Sequence, residues 1–481
     1  MATYPSTADG HGHGVPVAVP LSVLDATQWR APVPLLSAPV ASVPIEIDGV
    51  NTDLLDIDTN ADADADTAAD PASENPSTEA YASGQDLDAV LPWTDACFFL
   101  TLFLRDQHCL VPVVHKPSFA QSLLARADKT DDALRGLVCS IIAFTICQCP
   151  ISSMIGAGYA RPRLVSILGR CRRAAEAVRT RQRMSRRPSL VLLSSALLDW
   201  ITAQAVGDPQ STELHIAETT RLAHALGLHA AGAGPSGSGS GVDTETDTVE
   251  RELRHRLYWI IYSKDKTDAL SGRPLILHDF EGLPPLPLQV DDDYITPAGH
   301  LPQPTGRTSY MVGVVAIARI FRVISQCVVR HRAFANANVS PGGEGGDEGD
   351  DDDRADREAE VELHLAWTRV AQQRLHAILA GLPATLRTNL AEMAEMAAPE
   401  SPGGGGGRLF GIQQANITIT ALCAEFALLD LRAALRPDED TRAEREEVAR
   451  NAYATLSSIP YEYLASNGES MVRIPREQGV S

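Results

Sequence analysis

The sequence predicts an all-α protein, built as a large irregular helical domain. Three observations carry that prediction. Apolar residues recur at helical spacing in several segments, Pro and Gly punctuate those segments where helices start and stop, and no comparable period-2 strands appear. The reading divides the chain into a disordered acidic arm over residues 1–88, a helical domain over 89–473 with flexible inserts near 230–247, 336–357 and 399–408, and a tail over 474–481.

In the arm, "IEIDGVNTDLLDIDTNADADADTAAD" alternates acids with small or aliphatic residues, a solubilising pattern first and an activation segment second. At Trp93 the pattern changes to "WTDACFFLTLFLRDQHCLVPVV", apolar nearly all round as a deeply buried helix is, and Pro112 ends it. Ser118 and Gln121 have capping-box spacing and predict a helix start. Leu134, Leu137, Val138, Ile141 and Ile142 mark one helix face, and Leu193, Ala196, Leu197, Trp200 and Ile201 mark another after Pro188. The next helix takes Asp208 as cap and Pro209 at its first position, and stops at Gly227. Gly232, Gly234 and Gly237 spell a dinucleotide fingerprint, but they follow a helix end rather than a strand, so the segment reads as a linker.

The strongest helix is "TDTVERELRHRLYWIIYSKDKTDALSG", with Leu253, Leu257, Ile260, Ile261 and the stem of Lys264 on one face and Gly272 as its left-handed stop. Arg273 precedes Pro274 and is thereby pushed out of helical geometry. The Pro-rich run that follows, to about Ile295, is an extended strap that lies across packed helices. Such a strap needs something to bond its backbone, and Arg256, Trp259, Asp265 and Arg273 are its expected pins. Arg273 is the available multi-donor fork, with contact to an effector as its second reading.

The formal charge of −21 over 481 residues excludes sequence-independent attraction to phosphate, so nucleic-acid contact has to be local. Eight scattered cysteines read as reduced thiols, and the N-terminus, with no basic region and with Pro16 and Pro20 in its apolar part, makes a poor signal peptide. The run Leu137–Cys149 falls short of the roughly 18 to 20 residues that span a bilayer, so no membrane partner is expected. The basic stretch 161–187 carries an amphipathic stripe through Leu164, Ile167, Leu168, Cys171, Ala175 and Val178. It reads as a packed helix with a basic solvent face, and nuclear import is compatible with it. Asp352, Asp353 and Asp356 spell D-D-x-x-D, the magnesium spacing of all-α prenyl-diphosphate enzymes, here in a Gly-rich acidic insert where chance matches are easy.

Five elements in order carry a resemblance: "VVHKPSF", "HIAETTRLAHALGLH", the Arg254, Arg256, Leu257, Trp259 helix with Asp265, the Gly272-Arg273-Pro274 strap with Asp279 and Pro287, and "IPYEYLASNG". Together they resemble the regulatory region of fungal-specific transcription factors, from about residue 92 to 473 and most strongly over 208–295. The resemblance implies no enzyme but a pathway-specific regulator of RNA polymerase II transcription in the nucleus, serving a secondary-metabolite cluster or carbon use. It implies the transcription machinery or a coactivator as partner, a small-molecule effector, and a homodimer. The family's DNA-binding zinc cluster needs six closely spaced cysteines, whereas residues 1–96 contain none and Cys147 and Cys149 read as buried hydrophobes. No cofactor is therefore expected in this chain. Zinc belongs to a cluster outside it, and promoter DNA is reached through that domain or a partner. The alternative is a helical adaptor that does not bind DNA.

Overall fold

The structure, a computed structural model, describes residues 86–185, 187–229, 247–339, 351–387, 406–437 and 440–468. The expected arm up to residue 85, the glycine fingerprint, the expected tail over 474–481 and residues 230–246, 340–350 and 399–405 of the expected inserts lie outside these residues. The described chain is helical almost throughout. In order its helices are α1 (Leu87–Val90), α2 (Trp93–Leu102), α3 (Lys116–Leu124), α4 (Asp132–Gln148), α5 (Ile151–Ile155), α6 (Arg161–Ser185), α7 (Leu190–Ala205), α8 (Pro209–Ala225) and α9 (Thr248–Leu270). After the strap come α10 (Met311–Val339), α11 (Asp351–Ala380), α12 (Gly406–Leu435), α13 (Arg442–Ser458) and α14 (Tyr461–Ala465).

Local chemistry sets the helix ends. Asp131 accepts from the Ala133 and Leu134 amides, Ser189 from Leu192 and Asp208 from Ser211, so each satisfies N–H groups that the first turn leaves open. The α3 start differs from the expected one. His115 occupies the cap position, Pro117 the first turn, and Ser118 lies inside the helix with its hydroxyl on His115 Nδ1 at 2.8 Å. Pro fits a first turn because its missing N–H has no partner to lose there, which moves the start ahead of the capping-box spacing. Similarly, α2 does not run to Pro112. It loosens into a π turn over Phe103–Gln107, which turns Asp106, Gln107 and His108 inward.

The N-terminal half is organised around α4, buried at every position from Leu134 to Gln148, which packs between α6 and α7. Fully burying one Leu, Ile or Phe side chain contributes roughly 1.5–3 kcal/mol, which makes α4 a main source of stability. The stripe expected on α6 is buried throughout, and its arginines find acids: Arg163 with Asp95 at 2.6 Å, Arg172 with Asp208 at 2.8 Å, Arg181 with Asp132 at 3.4 Å. The C-terminal half is organised around α10 and α12, which pack along each other, with α11, α13 and α14 against α12. Between the halves α9 touches both α7 and α10. By length and composition α10 could cross a membrane, but 67% of its apolar window is buried inside the fold, as a core helix is.

Two of the expected inserts are shorter than the sequence suggests. Helix α10 continues to Val339 and α11 begins at Asp351. The third insert gives way at Gly406, where α12 begins. A two-residue hairpin, Ile295 opposite His300 and Thr296 opposite Gly299, is too short to leave a period in the sequence.

The chain closes on itself at its end. Arg408, at the start of α12, bridges Asp106 at 3.0 Å and Glu462 at 2.9 Å. Gly411 permits α14 to lie against α12, because a Cβ there would overlap the Tyr463 ring. Gly411→Ala is expected to cost about 1–3 kcal/mol through this overlap and to make the segment after residue 440 cleavable in limited proteolysis. An unchanged Tm and cleavage pattern would mean that α14 does not dock this way.

Candidate functional site

The strap after Gly272 runs with no sheet ladder, so its backbone groups need side-chain partners. One stripe of α9 supplies them. Asp265 accepts from the Ile276 amide at 2.9 Å with Oδ1 and from the Leu277 amide at 3.1 Å with Oδ2. The buried Lys266 ammonium pairs with Asp265 Oδ2 at 2.7 Å and donates to the Leu277 carbonyl. Trp259 Nε1 donates to the Pro285 carbonyl at 3.0 Å, and Glu252 accepts from the Leu288 amide at 2.9 Å. Tyr262 donates to Asp279 at 2.8 Å, and Ser325 of α10 reaches the same carboxylate oxygen at 2.9 Å.

At the far end of the strap sits a buried charge cluster. The Arg256 guanidinium, 1% exposed, meets Asp292 at 2.7 Å. The Lys116 amide donates to the other oxygen of Asp292 at 2.8 Å, and His115 Nε2 donates to its backbone carbonyl at 3.0 Å. Burial works against the Asp292 charge, but Arg256 and the Lys116 amide outweigh it and hold the carboxyl well below the usual carboxylate range. His108 is fully buried and pushed down to about 3 by that burial, with Lys116 adding to the effect. It is neutral, and donates from Nε2 to the Val114 carbonyl at 2.8 Å.

Of the pins expected from sequence, Arg256, Trp259 and Asp265 stand on this one stripe. Gly272 takes φ +86° and turns the chain out of α9 into Pro274. The Arg273 side chain points elsewhere: its guanidinium meets the exposed Glu213 at 2.6 Å, while its carbonyl and that of Ala269 receive Arg332 at 2.7 and 2.8 Å. Glu252, Tyr262, Lys266 and His115 were not singled out from sequence. Glu252, Tyr262 and Lys266 nevertheless follow Arg256 and Trp259 at helical spacing. Asp292 hides among three adjacent acids, which sequence cannot rank.

The opposite side of α9 lines a cavity of about 120 Å³. Trp259, Ile260, Ser263, Lys264 and Thr267 form one wall and Val314, Ile317, Ala318 and Phe321 of α10 another. Gln107, Gln148, Asn416 and Asn467 add amides. No carboxylate lines it. Lys264, its single cationic lining residue, is held by Asp268 and Gln204 and lies 4.9 Å from the Trp200 ring centre. Burial lowers its pKa, and Asp268 opposes that.

Among the described residues no group of three or more His, Cys, Asp or Glu could hold a metal ion. Cys147 and Cys149 are buried in the α4 core. Asp352, Asp353 and Asp356 lie at the start of α11, which contributes no residue to the cavity wall.

An all-α domain with a pinned strap and a cavity beside α9 therefore occupies the described chain, and it can be set beside known proteins. Residues 100–329 match the family model of the fungal specific transcription factor domain, a stretch that runs from α2 through the strap into α10. The chain is also similar to an ABC-transporter-regulating transcription factor of Aspergillus fumigatus, 32% identical over 108 residues, which is 22% of this chain and 11% of that protein. The similarity thus spans about a tenth of that relative's length. No solved structure matches.

Removing the Asp265 carboxylate would leave the Lys266 ammonium buried and two strap amides without an acceptor. Asp265→Ala is expected to cost about 3–5 kcal/mol in urea unfolding, whereas Arg273→Ala, which loses a partly exposed pair, costs under about 1 kcal/mol. Equal costs would contradict this division of labour.

His108 gives a pH dependence. The unfolded chain binds its proton near the ordinary pKa of 6.5 and the folded chain only near 3. The stability of the neutral ring is therefore complete above about pH 6.5 and is lost progressively as pH falls toward 3. His108→Gln is expected to flatten the loss of stability between pH 6.5 and 4.5 (about that window); a slope equal to the wild type's would place the loss elsewhere.

Proposed function

We propose that this chain is a transcription regulator whose helical domain sets the output of RNA polymerase II at a limited group of genes, in the nucleus. The match of residues 100–329 to the fungal specific transcription factor domain carries this reading. The similarity to an ABC-transporter-regulating transcription factor supports it, and a pathway-specific role, in a secondary-metabolite cluster or carbon use, is the finer part of the proposal. No catalytic chemistry is part of the proposal.

The surface supports a regulatory part rather than a DNA-reading one. Arginines of the most basic helix, α6, are engaged by Asp95, Asp208 and Asp132, and the net charge of −21 disfavours a nonspecific hold on phosphate. Promoter DNA is accordingly reached through an attached zinc cluster or a DNA-binding partner. The helical domain then works on a coactivator or on the transcription machinery.

The test is a fusion of the full chain to an unrelated DNA-binding domain at a reporter promoter. The reporter is expected to change at least severalfold, and the change is expected to be lost in Asp265→Ala, which frees the strap. A nuclear, soluble fusion that leaves the reporter unchanged would contradict the proposal.

A further inference from the structure

The cavity beside α9 has a hydrogen-bonding bias that its surroundings fix. Asn467 Nδ2 donates to the Tyr463 carbonyl at 2.7 Å and the Ile412 carbonyl at 3.3 Å, so its Oδ1 must be the atom that faces Asn416. It accepts there from Asn416 Nδ2 at 2.7 Å. Gln107 Nε2 likewise donates to the Ser466 carbonyl at 2.9 Å. Backbone carbonyls thus orient Asn467 and Gln107 directly and Asn416 through Asn467, and each nitrogen donates to a protein oxygen. Among the described residues nothing donates to Gln107 Oε1 or Asn416 Oδ1. Two amide oxygens therefore remain as acceptors in a wall whose other polar members are Gln148, Ser263, Lys264 and Thr267, the last with its hydroxyl on the Ser263 carbonyl, and whose remainder is apolar: Leu110, Phe144, Ile201 and Phe321 with Ile260 and the other α10 side chains.

Charge restricts the occupant further. The Lys264 ammonium is already neutralised by Asp268, and no acid lines the space. An anion would meet two amide oxygens and a spent cation, and a cation would lose its hydration without a carboxylate in return. Size restricts it too: about 120 Å³ is close to the roughly 150 Å³ that admits benzene in a dry engineered cavity.

We infer that this cavity binds a neutral, mainly apolar molecule of about single-ring size that carries a hydroxyl donor for the oxygens of Gln107 and Asn416. A ligand there touches α9, α10, α12 and Asn467 at once, and so ties the C-terminal segment to the helix that pins the strap. Its regulatory consequence rests on the transcription-regulator reading; its binding does not.

The test uses purified full-length chain and fluorine NMR of three probes: 4-fluorobenzyl alcohol, its methyl ether, and 4-fluorobenzoate. The alcohol is expected to bind about tenfold more tightly than the ether, which lacks the donor, and than the anion. Ala318→Phe, which fills the space, is expected to abolish alcohol binding, with Ile317→Phe as the second filling variant should the first not fold. Comparable binding of all three probes, no binding of the alcohol, or alcohol binding that survives filling in a folded variant would overturn the inference. Reporter output with and without the alcohol is read separately. Binding that leaves the reporter unmoved would remove the regulatory consequence and keep the site, whereas a reporter response without binding would count against the site.

Discussion

The structure depends on how a half-buried, Pro-rich strap satisfies its backbone. Three prolines between Leu283 and Leu288 remove amide donors and prevent a sheet ladder, yet Leu277 is 4% exposed and its amide and carbonyl cannot both turn to water. Asp265 and Lys266 solve this as a unit, one accepting the strap's amides and the other donating to its carbonyl. Their own charges cancel at 2.7 Å, which limits the desolvation cost of placing an ion pair in the core. Hydrophobic residues of the same volume could fill the space, but they could not hold the Leu277 amide and carbonyl. The pair therefore fixes the register of the strap more than it adds net stability.

The same helix serves a second purpose on its other side. Its cavity-facing residues fall one or two positions from the pins, so any rotation of α9 that released the strap would also reshape the cavity. Trp259 belongs to both, since its indole nitrogen holds the strap while its ring lines the cavity. The C-terminal segment closes the space from the far side through Asn467 and Gly468, whose φ of +74° lets the backbone pass close to Gln148. Strap, cavity and chain end are consequently one mechanical unit, and a signal at any of them has a physical route to the others.

Much of this was legible in the sequence, because helix starts and stops are local chemistry. Asp208-Pro209, Gly227, Gly272 and the spacing along α4, α6 and α9 need only neighbouring residues to be read. The extended course of the strap followed from Arg273 preceding Pro274. What holds the strap was only partly legible. Arg273 has the right donors, but a residue at a helix exit points where the turn sends it, and the turn at Gly272 sends it to Glu213 of α8. The partners actually used lie about two to six turns back on α9, where the series Glu252, Arg256, Trp259, Tyr262 and Asp265 is visible once the strap's path is known. Partners 177 residues apart, such as His115 and Asp292, leave no local trace, and neither does a cavity assembled from seven separate segments.

Backbone hydrogen exchange across residues 274–290 tests this account most directly. If the α9 stripe holds the strap, the Ile276, Leu277 and Leu288 amides exchange as slowly as those of the core helix α4, despite belonging to no regular element. Exchange at the rate of an exposed loop, with α4 still protected, would show that the strap is not pinned and that its coupling to the cavity does not exist.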